Sequence, residues 1–490
     1  MSAPFDLIVI GGGVNGAGVA RDAAGRGARV LLLEARDLAS GTSSASTKLV
    51  HGGLRYLEHY EFGLVREALG ERETLWRIAP HIVRPLRFVL PVSEGMRPAW
   101  MLRAGLFLYD HIGGSGALPG TETIDLRTHE AGAPLKPDLT RGFEYSDGWV
   151  DDARLVVLNA MDARERGAEI RTQTPVISAR REGDLWRVET PAGIFAGRAL
   201  VNAGGPGADG VARLAGVQPE FRVRRVRGSH IVVPKLFDHP CAYIFQLPDG
   251  RIVFAIPYED AFTLIGTTDR DHAGSPFEAS AAEDEIAYLC EAANRYFTRA
   301  LTPADVVHSF AGVRALIDDG SGKPEAASRG YHLPLSPPED GAPLLGIYGG
   351  KITSYRALAE EAVDALAERL PALSGPAWTA DAPLPGGDFP KDSQGDLIAA
   401  VARSYPFLGA AQATRIARAY GTRASRWLGD AASWSELGRG FGAGLSEAEI
   451  AYLRGEEWAR TAEDVLWRRS KLGLHMSASE RAAVQAWMGT

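Results

Sequence analysis

Phe5-Asp6-Leu7-Ile8-Val9-Ile10-Gly11-Gly12-Gly13-Val14-Asn15-Gly16-Ala17-Gly18 decides the first domain of this 490-residue chain. An apolar strand meets a glycine-rich turn, and a helical pattern follows. Gly11, Gly13 and Gly16 stand at the Gly-x-Gly-x-x-Gly spacing. In such a unit the first glycine permits the tight turn and the second lets backbone approach a pyrophosphate. The third lets the helix pack close on the strand. The helix N-terminus then offers unpaired N–H groups and the positive end of its dipole to the phosphates. The next strand, Ala28-Arg29-Val30-Leu31-Leu32-Leu33, ends in Glu34. That carboxylate stands where the ribose hydroxyls of an adenosine would lie. Strand, turn, helix and acid together predict a dinucleotide clamp.

A second glycine run, Gly205-Pro206-Gly207-Ala208-Asp209-Gly210, follows the strand Ala199-Leu200-Val201-Asn202. No second strand ending in an acid comes after it, only Arg222-Val223-Arg224-Arg225. It reads as a strand-to-loop crossing beside the cofactor. One clamp argues for one dinucleotide per chain.

The rest of the chain is that of an ordinary globular protein, with 45% apolar and 23% charged residues. A formal charge of -8 argues against a general nucleic-acid binder. Cys241 and Cys290 form no metal spacing and no CxxC pair, which fits a reducing, cytosolic compartment. The histidines are scattered, and no metal is predicted. Met1-Ser2-Ala3-Pro4 enters the first strand at once, so no signal peptide is expected. No apolar stretch approaches the ~20 residues needed to cross a bilayer.

The fold class expected is α/β: a Rossmann-like domain that binds the dinucleotide, an α+β substrate cap and a C-terminal helical domain. Residues 1–90, 149–215 and 308–373 are assigned to the nucleotide domain. Residues 91–148 and 216–307 are assigned to the cap, whose segments Ser229–Val233, Ala242–Phe245, Arg251–Ile256 and Phe262–Gly266 read as an antiparallel sheet. Residues 374–390, rich in Pro and Gly, read as a linker. Residues 391–490 read as helices, with capping boxes at Ser446-x-x-Glu449 and Ser477-x-x-Glu480.

Chemistry concentrates after Glu34. Thr42-Ser43-Ser44-Ala45-Ser46-Thr47-Lys48-Leu49-Val50-His51-Gly52-Gly53-Leu54-Arg55-Tyr56 can donate hydroxyl hydrogen bonds to a pyrophosphate, and Gly52-Gly53 lets backbone pass a flat ring. Lys48, His51 and Arg55 crowd beside those glycines.

The stretch Thr42–Leu69, with the clamp before it, resembles the FAD-dependent glycerol-3-phosphate dehydrogenases. The resemblance continues through Arg141–Asp147, Trp149–Arg154, Gly228–Pro234, Ile265–Asp269, Gly312–Arg314 and Gly349–Arg356, and into the tail at Asp464–Lys471. It implies non-covalent FAD and oxidation of glycerol 3-phosphate at C2, with a hydride passing to flavin N5 and dihydroxyacetone phosphate as product. It further implies a membrane quinone as electron acceptor, with oxygen as the rival acceptor, and peripheral attachment to the inner face of the cell membrane. A homodimer is one candidate assembly. The resemblance places Arg55, Arg314, Arg329 and Lys351 in a basic substrate pocket, with Tyr56, His230 and Thr353 close by. A phosphate dianion suits several fixed cationic donors, and these would also stabilise the alkoxide formed at C2.

His230, Arg314 and Lys351 form the expected catalytic set. His230 is the natural general base, with His51 a second candidate. Arg314 competes with a structural ion pair to Asp318 or Asp319, and Lys351 with a role toward the cofactor. The cofactor contacts expected are Gly11, Gly13, Asn15, Gly16, Glu34, Thr42, Ser43, Ser46, Lys48, Leu49, His51, Gly52, Gly53, Gly204, Gly350, Lys351, Ile352 and Thr353. The chain departs from the family at Gly207, where a Trp is usual, which alters the packing expected near the flavin edge. Ala99–Tyr109 and the basic run Arg222, Arg224, Arg225 and Arg227 are the candidate membrane contacts. The alternative for the first is a buried cap helix.

Overall fold

The parallel pairing of Phe5–Ile10 sets the architecture of this computed structural model, which describes residues 3–54, 57, 60–93, 97–113, 118–318 and 330–489. Phe5–Ile10 lies between Val30–Leu33 and Gly193–Asn202, with Ile10 opposite both Leu33 and Asn202. Glu169–Arg171 extends one side and Leu344–Gly346 pairs beyond Gly193–Asn202. These parallel strands read as continuous apolar runs because helices cover them. The antiparallel hairpin Ser178–Glu182 and Leu185–Thr190 completes the seven-stranded sheet. Helix Val14–Gly25 packs against helices Asp152–Glu165 and Tyr355–Ala367. Gly18 makes the close approach possible, since a Cβ there would lie 2.9 Å from the Tyr355 ring.

The second sheet has ten strands. The expected cap strands are there as Val223–Pro234, Ala242–Gln246, Ile252–Tyr258 and Phe262–Gly266. The sheet is mixed rather than wholly antiparallel, because Ala242–Gln246 runs parallel to Val83–Pro91. Val83–Pro91 and His308–Ile317, both read from sequence with the nucleotide domain, pair in this second sheet. His308–Ile317 runs antiparallel along Val223–Pro234 from Val223 to Val232. Their apolar alternation suits either sheet, so pairing alone decides. Helix Ala99–Ile112 sits outside this sheet and buries only Leu106 and Tyr109.

The run 374–390 is packed rather than loose. Trp378 Nε1 donates to Asp22 O at 3.2 Å, and Thr379 Oγ1 donates to Glu360 at 2.6 Å. Beyond it, helices Gln394–Ser404, Gly409–Tyr420, Glu447–Glu456 and Ala478–Met488 enclose a separate core around Ile416, Leu453 and Val465. The box at Ser477 and Glu480 is reciprocal. At Ser446 only half forms: Glu449 N donates to Ser446 Oγ, while the buried Glu449 carboxylate turns to Arg415 and Tyr420. A carboxylate removed from water needs a cation more than a backbone N–H.

Candidate active site

The glycine turn is built for close approach. Gly11 has φ +114°, and a Cβ on it would lie 2.4 Å from Ala203 O. Gly16 meets Gly11 O at 1.9 Å by the same construction, so it serves turn-to-helix packing. Glu34 closes the turn from the side: Gly12 N donates to Oε2 at 2.6 Å and Arg36 N donates to Oε1 at 2.7 Å. Burial pushes its carboxyl up from the usual range, against those two bonds. Val14 N, at the helix start, donates to Ser43 Oγ at 3.0 Å.

These groups open on a cavity of about 490 Å³. Its walls include Gly11, Gly13, Asn15, Glu34, Thr42, Ser43, Ser46, Leu49, His51, Gly204, His230, Arg314, Gly350, Lys351, Ile352 and Thr353, all singled out from sequence. Asn15 Oδ1, in this wall, is a buried acceptor without a hydrogen-bond partner. The second glycine run also borders the cavity through Gly205, Pro206 and Gly207, and it leads into the short helix Ala208–Leu214.

Other expected contacts lie elsewhere. Gly16 is behind the turn. Lys48 is turned away from the cavity and buried at 2% exposure, its Nζ 2.9 and 3.0 Å from the two oxygens of Asp152. Asp152 in turn accepts Ser46 N at 3.2 Å and Ser46 Oγ at 2.7 Å. Lys48 therefore braces the hydroxyl-rich loop from behind. Gly52 packs into the cap, where a Cβ would lie 2.6 Å from Leu69. Gly53, with φ +74°, is likewise outside the wall. Arg55, Tyr56 and Arg329 lie outside the described residues.

His230 sits mid-strand, opposite Gly266 and Phe310, where a glycine on one side leaves room for the ring. Its Nε2 is 3.0 Å from Thr47 Oγ1 and its face stacks on Phe310. Burial first, then the charges of Arg314 and Lys48, hold it well below the usual histidine range. Arg314 reaches the cavity from the paired strand. Its partner is Asp269, with Thr267 Oγ1 at 3.2 Å, and not Asp318, which pairs with Arg222. Residue 319 is not among those described. His51 N donates to Thr353 Oγ1 at 3.3 Å, tying the loop to the strand-to-helix turn at 350–353.

Several wall residues carried no sequence signal: Arg36, Thr174, Val176, Phe277 and Leu316. Phe277 answers the departure at Gly207. A Cβ at Gly207 would lie 3.2 Å from the Phe277 ring, and Arg36 sits over that ring at 5.4 Å. The space beside Gly207 is therefore filled by an aromatic from another segment, next to Arg36.

The surface candidates separate. Helix Ala99–Ile112 is not a buried cap helix: Trp100 is 70% and Phe107 57% exposed. Tyr60 and Phe62, also exposed, form a ring pair at 6.2 Å at the start of the neighbouring helix Phe62–Ile78. The basic run is largely neutralised. Arg224 pairs with Asp271 and Arg227 with Glu285, and Arg225 donates to Pro206 O. Among the described residues no helix is long and apolar enough to cross a membrane.

Comparison with known proteins gives the family. The model of the FAD dependent oxidoreductase family matches residues 6–365, and that of the C-terminal domain of alpha-glycerophosphate oxidase matches residues 377–488. The chain is 51% identical to the D-erythritol 1-phosphate dehydrogenase of Brucella abortus over 489 residues, covering 98% of this chain and 97% of that one. It is also 51% identical to the glycerol-3-phosphate dehydrogenase of Pseudomonas aeruginosa over 495 residues, covering 99% and 95%. The crystal structure of the glycerol-3-phosphate dehydrogenase from Bacillus halodurans complexed with FAD superposes with a TM-score of 0.78 at 27% identity, covering 100% of this chain and 94% of that one.

Proposed function

This chain belongs to the FAD-dependent oxidoreductases, in the group of the glycerol-3-phosphate dehydrogenases, and on that premise we propose that it oxidises glycerol 3-phosphate to dihydroxyacetone phosphate. The cavity suits FAD: the glycine turn would admit a pyrophosphate, Glu34 would meet a ribose, and the unpartnered Asn15 Oδ1 would offer a further acceptor. Gly350, Ile352 and Thr353 would close over it from the turn after Tyr348–Gly349. When bound, FAD supplies the hydride acceptor for C2.

The observation that carries the substrate reading is the set His230, Arg314, Lys351 and Thr353 in the same cavity wall. Arg314, its fork oriented by Asp269 and Thr267, binds the anionic substrate and stabilises the developing alkoxide. Lys351 adds a second cationic donor. His230 is the proposed acceptor of the C2 hydroxyl proton; burial and neighbouring positive charge keep it in its neutral form and also lower its basicity. Arg55, Tyr56 and Arg329 complete the proposed pocket. The equal identity to a D-erythritol 1-phosphate dehydrogenase favours a second reading, a polyol phosphate one carbon longer.

Electrons leave for a membrane quinone in this reading, and the protein rests peripherally on the inner face of the membrane. The exposed Trp100 and Phe107 support helix Ala99–Ile112 as the contact, as an amphipathic helix lying in the interface. The paired arginines at 224–227 leave that run a weaker candidate.

Anaerobic titration tests the proposal. Glycerol 3-phosphate should bleach the flavin absorbance, and D-erythritol 1-phosphate should do so less readily. Preference for the longer substrate would select the second reading, and no bleaching by either would sink both. Peroxide formed as fast as turnover, with or without quinone, would point to oxygen as acceptor.

A further inference from the structure

The start of the turn that presents Glu34 is held by backbone bonds to Arg171, Gln173 and Thr174, and its outer half is held from two further sides. Ala39 N donates to Gly12 O at 3.0 Å, which ties the turn to the glycine turn. From the other side the C-terminal domain grips Asp37. Arg469 Nη1 and Nη2 donate to the two oxygens of Asp37, each at 2.7 Å, and Arg468 Nε donates to Oδ2 at 2.7 Å. Arg469 is 0% and Asp37 6% exposed. A guanidinium fork on a carboxylate is directional, and out of water it is strong. The fork is itself fixed, since Arg469 Nε and Nη2 also donate to Glu457 O at 3.2 and 2.6 Å.

A second arm starts two residues later. Lys471 Nζ donates to Asp151 Oδ1 at 2.6 Å. Asp151 caps the helix whose first residue, Asp152, holds Ser46 of the cavity wall. Arg468, Arg469 and Lys471 do not line the cavity themselves. Other pairs across the same boundary, Arg423 with Glu165 and Arg164 with Glu456, attach at the far end of helix Asp152–Glu165. Docking alone would be served by those. Buried guanidinium groups on Asp37 do something more, because Asp37 shares its turn with Glu34.

We propose that Arg468 and Arg469 are positioning residues for the cofactor: by fixing Asp37 they hold Glu34 in place, so that the C-terminal domain sets the affinity for FAD. This rests on the reading that the cavity takes FAD. When Asp37 is released, the turn 34–39 keeps its backbone ties to Gly12, Arg171, Gln173 and Thr174 but loses the side-chain anchor of its outer half. The residues 36–39 that support the Glu34 carboxylate through Arg36 N then have to be ordered at the moment of binding, which lowers affinity.

The test uses full-length apoprotein titrated with FAD, followed by quenching of flavin fluorescence. Asp37→Asn keeps the shape and removes the charge. Arg468→Gln is a second, less buried perturbation. Both should raise the dissociation constant for FAD at least tenfold, and Arg468→Lys should restore part of the loss. Arg423→Gln, which breaks a pair at the same boundary, should stay within twofold of wild type. Wild-type affinity in both Asp37→Asn and Arg468→Gln would overturn the proposal. So would an equal loss in Arg423→Gln, because the effect would then be one of domain docking. A wild-type apoprotein that fails to bind FAD would overturn the cofactor reading, and this proposal with it, before any variant is compared.

Discussion

Lys48 and Asp152 form a pair in which neither side chain exceeds 2% exposure, and removing one partner should be costlier than removing both. Lys48→Met keeps the length of the side chain and removes its charge. Asp152 would then retain bonds from Ser46 N, Ser46 Oγ and Ala153 N. Breaking a buried ion pair on one side costs about 3–5 kcal/mol. The surviving bonds to Asp152 put Lys48→Met near the lower bound, about 3 kcal/mol by that scale. Asp152→Asn leaves the ammonium facing Ser44 O and an amide, and belongs higher in the same range. The double variant removes both charges and still gives Ser46 an acceptor. It should therefore be more stable than the sum of the single losses by at least ~2 kcal/mol, a coupling within the range seen for contacting residues. Urea unfolding of the apoprotein, with midpoints converted at a common slope, reads the three losses. Strict additivity would refute the reasoning, because it would mean that Lys48 and Asp152 do not act on one another.

Arg314→Ala should lower kcat/KM for glycerol 3-phosphate by about 10- to 150-fold, the loss of one charge-assisted contact of about 1.5–3 kcal/mol. Turnover of uncharged glycerol should fall less, because only the contact to the alkoxide is lost there, and an unchanged kcat/KM for glycerol 3-phosphate would remove Arg314 from the pocket. Trp100→Asp with Phe107→Asp should cut liposome co-sedimentation at least about 100-fold, from ~1.5–3 kcal/mol per buried aromatic. Turnover with a soluble dye should survive, and unchanged sedimentation would remove helix Ala99–Ile112 from the membrane contact. His81 is lowered to about 3 by burial and by the charges of Arg154 and Arg423. The unfolded chain therefore binds a proton below pH ~6.5 that the folded chain refuses, and stability is lost as pH falls through that window. Between pH 6.5 and 5 this amounts to about 2 kcal/mol at 1.36 kcal/mol per unit. His81→Gln should flatten the acid limb of the urea-midpoint profile by that amount, and an unchanged limb would contradict the shift.

The nucleotide half of the site was legible because its chemistry is local. Gly11, Gly13 and Glu34 sit on consecutive elements, and steric need for glycine writes itself into spacing. His230 and Arg314 became legible through family resemblance, not through any periodicity of their strands. What stayed hidden depends on partners far along the chain. Lys48 looked like a cofactor ligand until Asp152, 104 residues away, claimed its ammonium. Phe277 sits in an unpatterned loop, yet it fills the space beside Gly207. The arginines at 224 and 227 read as a free basic patch, because the sequence does not show that Asp271 and Glu285 lie across from them. Val83–Pro91 and His308–Ile317 alternate as any half-buried strand does, and only pairing assigns them to the second sheet.

The pairing of Val9 with Val201, and of Val201 with Leu345, has a consequence for biosynthesis. The glycine turn leaves the ribosome well before its neighbouring strand Gly193–Asn202, and the closing turn at 350–353 comes later still. At roughly 5–20 residues per second, the nascent chain spends on the order of half a minute with Phe5–Ile10 lacking its partner on one side. Such long-range parallel pairing is slow and exposes apolar edges while it waits. Flavin supply during translation can therefore do little for the emerging N-terminus. Loading must follow synthesis of the turn at 350–353, and shortage of the cofactor will be felt by chains that already carry it rather than by earlier ones.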